Sequence, residues 1–203
     1  MDKVFKDFAN FINSELSEKG IRLLMGIFQS ENLFPRFKEE FAGKKMHDAQ
    51  IGGLMHHTTK MLKIAKILVE NEPRMLQIEG FTDLLYLGIS LHDIGKVYEM
   101  KLGVYQPNSF VTHRTLGTEM IAKYKDLICQ LYNETFYYHI LAIINGHHGE
   151  YGERPQTLLA YIIHLIDMLE ANTTGAFDRI ENKEFSNRAG LNAVLVNGAN
   201  LVI

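Results

Sequence analysis

The sequence predicts an all-α fold carrying one or two short β-hairpins. Three observations lead there. Apolar residues recur at helical spacing along most of the chain, beginning with Val4, Phe5, Phe8, Phe11 and Ile12. The four prolines, Pro35, Pro73, Pro107 and Pro155, are scattered at loop-like places, so long periodic stretches run uninterrupted. Only two short stretches, "YEMKLGVYQ" and "AVLVNGANLVI", set a turn signal between extended apolar residues.

Taken in order, "KVFKDFANFINSEL", "IRLLMGIFQS" and "NLFPRFKEEFAG" read as three N-terminal helices. A long helix follows over about 51–70, its stripe made by Leu54, Met61, Leu62, Ala65 and Leu68. The next spans about 82–91 and ends near Gly95. "HRTLGTEMIAKYKDLI" reads as one helix, and "TFYYHILAIINGHHG" as another that stops at Gly149. "PQTLLAYIIHLIDMLEANTTG" opens on a proline, favourable at a helix start, and closes in a polar turn containing Gly175. The hairpins turn near Gly103 and at Asn197-Gly198. No repeat or Pro/Gly/Ser linker divides the chain. It is divided here into an N-terminal helical segment over 1–43, a main domain over 44–180 and a C-terminal extension over 181–203.

Composition narrows the function. With 203 residues and 46% hydrophobic content, the chain can bury one sizeable core. It has no apolar run long enough to span a bilayer and no signal-peptide core near Met1. Its single cysteine, Cys129, excludes an internal disulfide and any multi-cysteine zinc site, which fits a reducing, cytoplasmic setting. The net charge of −3 argues against clamping long nucleic acid by bulk charge. It leaves room for a small phosphorylated substrate.

Nine histidines stand out. His56 and His57 sit in an apolar helix, His92-Asp93 close another, His113 opens a third, His147-His148 close a fourth, and Asp167 lies among Ile163, Ile166, Met168 and Leu169. A buried carboxylate without a partner is strongly penalised, and a nearby cation removes the penalty. Nitrogen and oxygen ligands without thiolate suit manganese, iron, nickel, cobalt or zinc better than calcium. A carboxylate beside a histidine can bridge two ions. Two ions about 3.5–4 Å apart clamp a phosphoryl group and generate hydroxide near neutral pH. Lys96, one turn after Asp93, is placed to hold a phosphate oxygen.

These motifs resemble the HD superfamily of metal-dependent phosphohydrolases, in the subgroup whose motif reads His-Asp-Ile-Gly, here His92-Asp93-Ile94-Gly95. "GGLMHHT", "NGHHG" and "YIIHLIDMLEA" are similar to its other motifs. The likeness is greatest to the HD domain of bacterial 3′-to-5′ exoribonucleases that pair an OB-fold with an HD domain, and it covers 44–172. The resemblance implies an all-α HD-domain bundle. It implies a first metal held by His57, His92, Asp93 and Asp167, and a second held by Asp93, His113, His147 and His148. Asp93 and Lys96 would carry the chemistry, and Lys96 and His47 would line the substrate pocket. The expected activity is cleavage of a phosphodiester by a metal-activated hydroxide, on a nucleotide or a nucleic-acid end, by a protein off the membrane and open to oligomerisation. A nucleotide phosphomonoesterase, an HD-type di-iron oxygenase and a non-catalytic nucleotide-binding module are the alternatives.

Of the remaining residues, His56 is expected to face away from the site, since adjacent helical residues point about 100° apart. His139 and His164 read as core or outer-sphere histidines, with His164 able to orient Asp167 or a ligand. Phe136, Tyr137 and Tyr138 read as packing. Arg114, Arg154 and Arg179 are within conceivable reach of a phosphate, and the sequence does not rank them.

Overall fold

The computed structural model describes residues 2–30, 32–44, 48–107, 109–181, 195–196 and 200–201. Its helices, in chain order, are α1 (Asp2–Glu15), α2 (Glu18–Ser30), α3 (Leu33–Glu39), α4 (Gly53–Asn71), α5 (Phe81–Leu91), α6 (Lys96–Glu99), α7 (His113–Ala122), α8 (Lys125–Leu131), α9 (Glu134–Gly146) and α10 (Leu158–Glu181). The all-α expectation holds, with two minimal hairpins. No described helix is long and apolar enough to cross a membrane.

α5 is the axis of the bundle. Every one of its residues but Thr82 is buried, the signature of a helix surrounded on all sides. It packs against α4, α9 and α10. Its one buried carboxylate, Asp83, is satisfied by the Ser17 backbone N–H at 2.9 Å, the Ser17 hydroxyl and the Tyr132 hydroxyl at 2.7 Å. That set ties the α1–α2 junction and the α8–α9 junction to the axis. On the other side, the rings of Phe8, Phe28 and Phe37 meet at 5.2–6.5 Å and join α1, α2 and α3 into the common core. Pro35 lies in the first turn of α3, where its missing N–H costs nothing.

The hairpin β1 (Met100–Lys101) and β2 (Val104–Tyr105) pairs Lys101 with Val104, leaving Leu102-Gly103 as a two-residue turn. Both turn residues have positive φ, 50° and 74°, as a type I′ turn requires. Leu102 is an unfavourable choice there, and the buried Glu40 compensates: its carboxylate accepts from the backbone N–H of Leu102 at 3.0 Å and of Gly103 at 2.8 Å. The second hairpin, β3 (Leu195–Val196) with β4 (Asn200–Leu201), pairs Val196 with Asn200. Three residues therefore separate the last pair, not the two expected at Asn197-Gly198, which itself lies outside the described residues.

Two helix expectations need correction. "HRTLGTEMIAKYKDLI" is two helices, α7 and α8, broken at Lys123-Tyr124, where Tyr124 takes φ −103° and ψ 11°. Ile121 on α7 and Ile128 on α8 are both buried in the core. The last helix starts at Leu158, with Thr157 Oγ1 accepting from Ala160 N at 3.2 Å, and runs past Gly175 to Glu181. Thr174 is held there by Glu170 and Lys60, so tertiary bonds carry the helix through a local stop signal.

Candidate metal centre

Five helices converge on one point beside the end of α5. α4 brings His57, the end of α5 brings His92 and Asp93, α7 brings His113 as its first residue, the end of α9 brings His147 and His148, and α10 brings Asp167. The side chains of His57, His92 and His147 are fully buried and that of Asp93 nearly so. His148 is half-buried, and the side chains of His113 and Asp167 retain 12% and 17% exposure, so these three mark the solvent side.

Asp93 is central. Its Oδ2 lies 3.3 Å from His92 Nε2, and its Oδ1 lies 3.4 Å from both His113 Nε2 and His147 Nε2. His57 Nε2 is 3.2 Å from Asp167 Oδ1, and His113 Nε2 is 3.0 Å from His148 Nε2. Ligand-capable atoms lie within 4.8 Å of one another in three overlapping sets: Asp93, His113, His147 and His148; His57, His92 and Asp93; and His92, His147 and Asp167. All seven expected ligands are thus brought together.

The donor set fits a divalent cation. Nε2 of His92 and His147 and Oδ1 of Asp93 are buried and make no hydrogen bond among the described residues. Leaving them so costs the desolvation of each group, which a shared cation would recover. The outer ring nitrogens are already taken. His92 Nδ1 and His147 Nδ1 donate to the carbonyls of Ile89 and Ile144, each at 2.7 Å. His113 Nδ1 lies 2.9 Å from Glu99 Oε2, and His57 Nδ1 bonds Glu170. Each outer bond fixes the tautomer and aims Nε2 inward.

Electrostatics agree. Burial pushes His147 down to about 4 and His148 down to about 3, which keeps both neutral and ready to ligate at neutral pH. Burial alone would raise Asp93, but the Lys96 ammonium and the neighbouring imidazoles outweigh it and hold the carboxyl well below its usual range. Burial pushes His57 down as well, yet Asp167 and Glu170 hold it up at about 9. A cation at His57 would therefore displace a proton.

Lys96, expected to hold a phosphate oxygen, is instead tied to protein atoms. It is buried, with Nζ 2.6 Å from Asp93 Oδ2 and 2.5 Å from the Ala42 carbonyl. Gly95 has ordinary right-handed angles, φ −65° and ψ −17°, so it is not there to turn the backbone. It is there for closeness, since a Cβ on it would sit 1.8 Å from the His113 carbonyl oxygen. His164 Nδ1 donates to the His147 carbonyl at 2.7 Å, supporting a ligand's backbone. His56 faces away and bonds Asp48 at 2.8 Å. His47 lies outside the described residues, as does the Arg179 side chain, and Arg154 is exposed.

Sequence reasoning missed Glu99 and Glu170. Glu170 follows Asp167 by one helical turn, a faint signal; Glu99 has none. Asp48, His57 and Glu170 also approach one another, but Lys60 already stands between the two carboxylates, 2.8 Å from Asp48 Oδ2 and bonded to Glu170.

Known proteins resemble this chain over the region that carries these residues. The family model for the HD domain matches residues 45–172. The 3′-5′ exoribonuclease YhaM of Oceanobacillus iheyensis is 32% identical over 212 residues, covering 93% of this chain and 65% of that protein. The same enzyme of Shouchella clausii is 32% identical over 75% of this chain and 49% of its own, and that of Bacillus subtilis 30% identical over 75% and 50%. The chain thus spans about half to two thirds of the length of these relatives. No solved structure matches it significantly. On its motifs, its helical architecture and the matched region, this chain belongs to the HD domain family.

Proposed function

We propose that this chain is a metal-dependent phosphodiester hydrolase acting on a nucleotide or a nucleic-acid end, with 3′-to-5′ exonuclease-like cleavage as the form its relatives favour. The observation that carries the reading is Asp93, whose two oxygens face different histidine sets. That is the disposition of a carboxylate shared between two cations. His57, His92, Asp93 and Asp167 would hold one ion, and Asp93, His113, His147 and His148 the other; manganese, iron, nickel, cobalt and zinc all suit these donors. Bound there, such ions neutralise charge developing on a phosphoryl group and lower the pKa of water.

The chain's own residues do the rest. Lys96 balances the charge of Asp93 and keeps it ionised, and its tie to the Ala42 carbonyl fixes the carboxylate's angle. Two of its three donors are spent this way, so we assign Lys96 to positioning rather than to direct contact with substrate. Glu99 and Glu170 hold His113 and His57 in the ligating tautomer. The exposed edges of His113, His148 and Asp167 define the side from which a phosphate enters.

The test is Asp93→Ala with metal content measured by elemental analysis. Metal binding and hydrolysis of short RNA, DNA and cyclic or linear dinucleotides should vanish together, with helicity unchanged by circular dichroism. Turnover retained in that variant at verified metal content overturns the shared-carboxylate reading. Redox-active iron with no hydrolysis of any phosphate ester by the wild type overturns the hydrolase reading itself.

A further inference from the structure

We propose that Phe110 and Tyr151 form a stacking platform for a nucleobase at the mouth of the metal centre, with Arg114 beside them to meet the adjoining phosphate. The inference rests on the hydrolase reading above and adds to it what the site would grip besides the reacting phosphate.

Phe110 and Tyr151 are 84% and 89% exposed, more than any other large hydrophobic side chain among the described residues. Neither ring stacks on another ring or on a cation there. Other exposed rings are engaged or less exposed: Lys125 stands 5.3 Å over Tyr138, Lys44 stands 5.2 Å over Tyr105, and Tyr161 and Phe177 are about half exposed. A single exposed ring is unremarked in a soluble protein. Two, each three residues from a histidine on the solvent side of the cluster, call for an occupant.

Their placement follows from the ligands. The solvent side of the cluster is formed partly by His113 and His148, whose Nε2 atoms are 3.0 Å apart. Phe110 precedes His113 by three residues, a span of at most about 11 Å of chain. Tyr151 follows His148 by three, and its N–H donates to the His148 carbonyl at 3.2 Å, a turn that keeps the two Cα atoms within about 7 Å. The two segments also touch. A Cβ on Gly152 would lie 2.3 Å from Arg114 Nη1, so the loop after Tyr151 rests on the first turn of α7.

Arg114 completes the site. It is half-buried, its Nη1 donates to the Asn145 carbonyl at 3.2 Å, and it forms no ion pair among the described residues. A planar guanidinium with donors to spare beside a phosphate-handling centre suits a second phosphate. Aromatic faces near a backbone-binding groove accept any base, since every base offers a π-face. The occupant is therefore a single-stranded nucleic-acid end, gripped without strong sequence preference.

The experiment is calorimetric titration of the manganese-loaded protein with a phosphorothioate-linked RNA hexamer, which resists cleavage, and with its abasic counterpart. The wild type should bind the base-bearing hexamer at least about tenfold more tightly. Phe110→Ala and Tyr151→Ala should each weaken that binding by about 5- to 150-fold and close the gap to the abasic hexamer. Phe110→Trp should keep it. Tyr138→Ala, an exposed aromatic removed elsewhere, should change nothing. Equal affinity for the two hexamers, or Ala variants that bind RNA as the wild type does, overturns the platform and leaves these rings as a protein contact. Hydrolysis of the unmodified hexamer is scored separately. Cleavage without base discrimination sinks the platform alone, and base discrimination without cleavage of any phosphodiester sinks the hydrolase reading alone.

Discussion

Glu99 holds His113 at two points: Oε1 accepts from the backbone N–H at 3.2 Å and Oε2 lies 2.9 Å from Nδ1. One carboxylate thus caps the first turn of α7 and sets the tautomer of the histidine that begins it. Glu99→Ala removes both. Divalent-metal affinity, read by competition with a chelator, should fall by about 10- to 100-fold. Glu99→Gln, which can still accept from Nδ1, should recover part of the loss. An unchanged affinity in Glu99→Ala would assign the residue to capping alone.

Gly95 and His113 are in backbone contact. A Cβ at 95 would meet the His113 carbonyl oxygen at 1.8 Å and the Gly117 nitrogen at 2.7 Å, and neither is the end of a flexible side chain. Gly95→Ala must push α7 outward and carry His113 with it. We expect a loss of about 1–3 kcal/mol in urea unfolding, as for an overpacked core, together with weakened metal binding. Full stability with full metal affinity would contradict the close approach.

Asp48, which is outside the proposed ligand set, gives a pH dependence of stability. Burial raises its pKa, but hydrogen bonds from His56 and Lys60, each at 2.8 Å, outweigh that and hold it below the ordinary 3.8. A lowered folded-state pKa contributes stability that is fully present above the unfolded value. It is lost as pH falls through the folded value. Asp48→Asn should therefore have a lower urea midpoint than the wild type at pH 7, with the gap shrinking steadily as pH drops below about 4. A gap of the same size at pH 7 and pH 3 would show that the charge contributes nothing.

The ligands were legible because they are costly where they stand. Imidazoles and carboxylates on apolar helix faces, such as His57 in α4 and Asp167 in α10, demand a partner whatever the fold. The N-terminal helices were legible from their period. The break at Lys123-Tyr124 was not, because the local pattern of "HRTLGTEMIAKYKDLI" suits one helix and has neither Gly nor Pro at the break. Nor was the continuation of α10 past Thr173 and Gly175, which depends on Lys60 reaching Thr174 at 2.6 Å from α4.

By itself, then, the sequence determined the helical class, the family and the residues able to ligate, since periodicity and side-chain chemistry are local properties. The tertiary structure decided how those residues are aimed. Glu99 meets His113 across 14 positions, Glu170 meets His57 across 113, and Lys96 meets the Ala42 carbonyl across 54. Such partners are selected by the packing of α4, α9 and α10 around α5 and of α6 and α3 on their neighbours. No spacing along the chain encodes them, because a hydrogen bond between distant residues exists only once the helices that carry them have met.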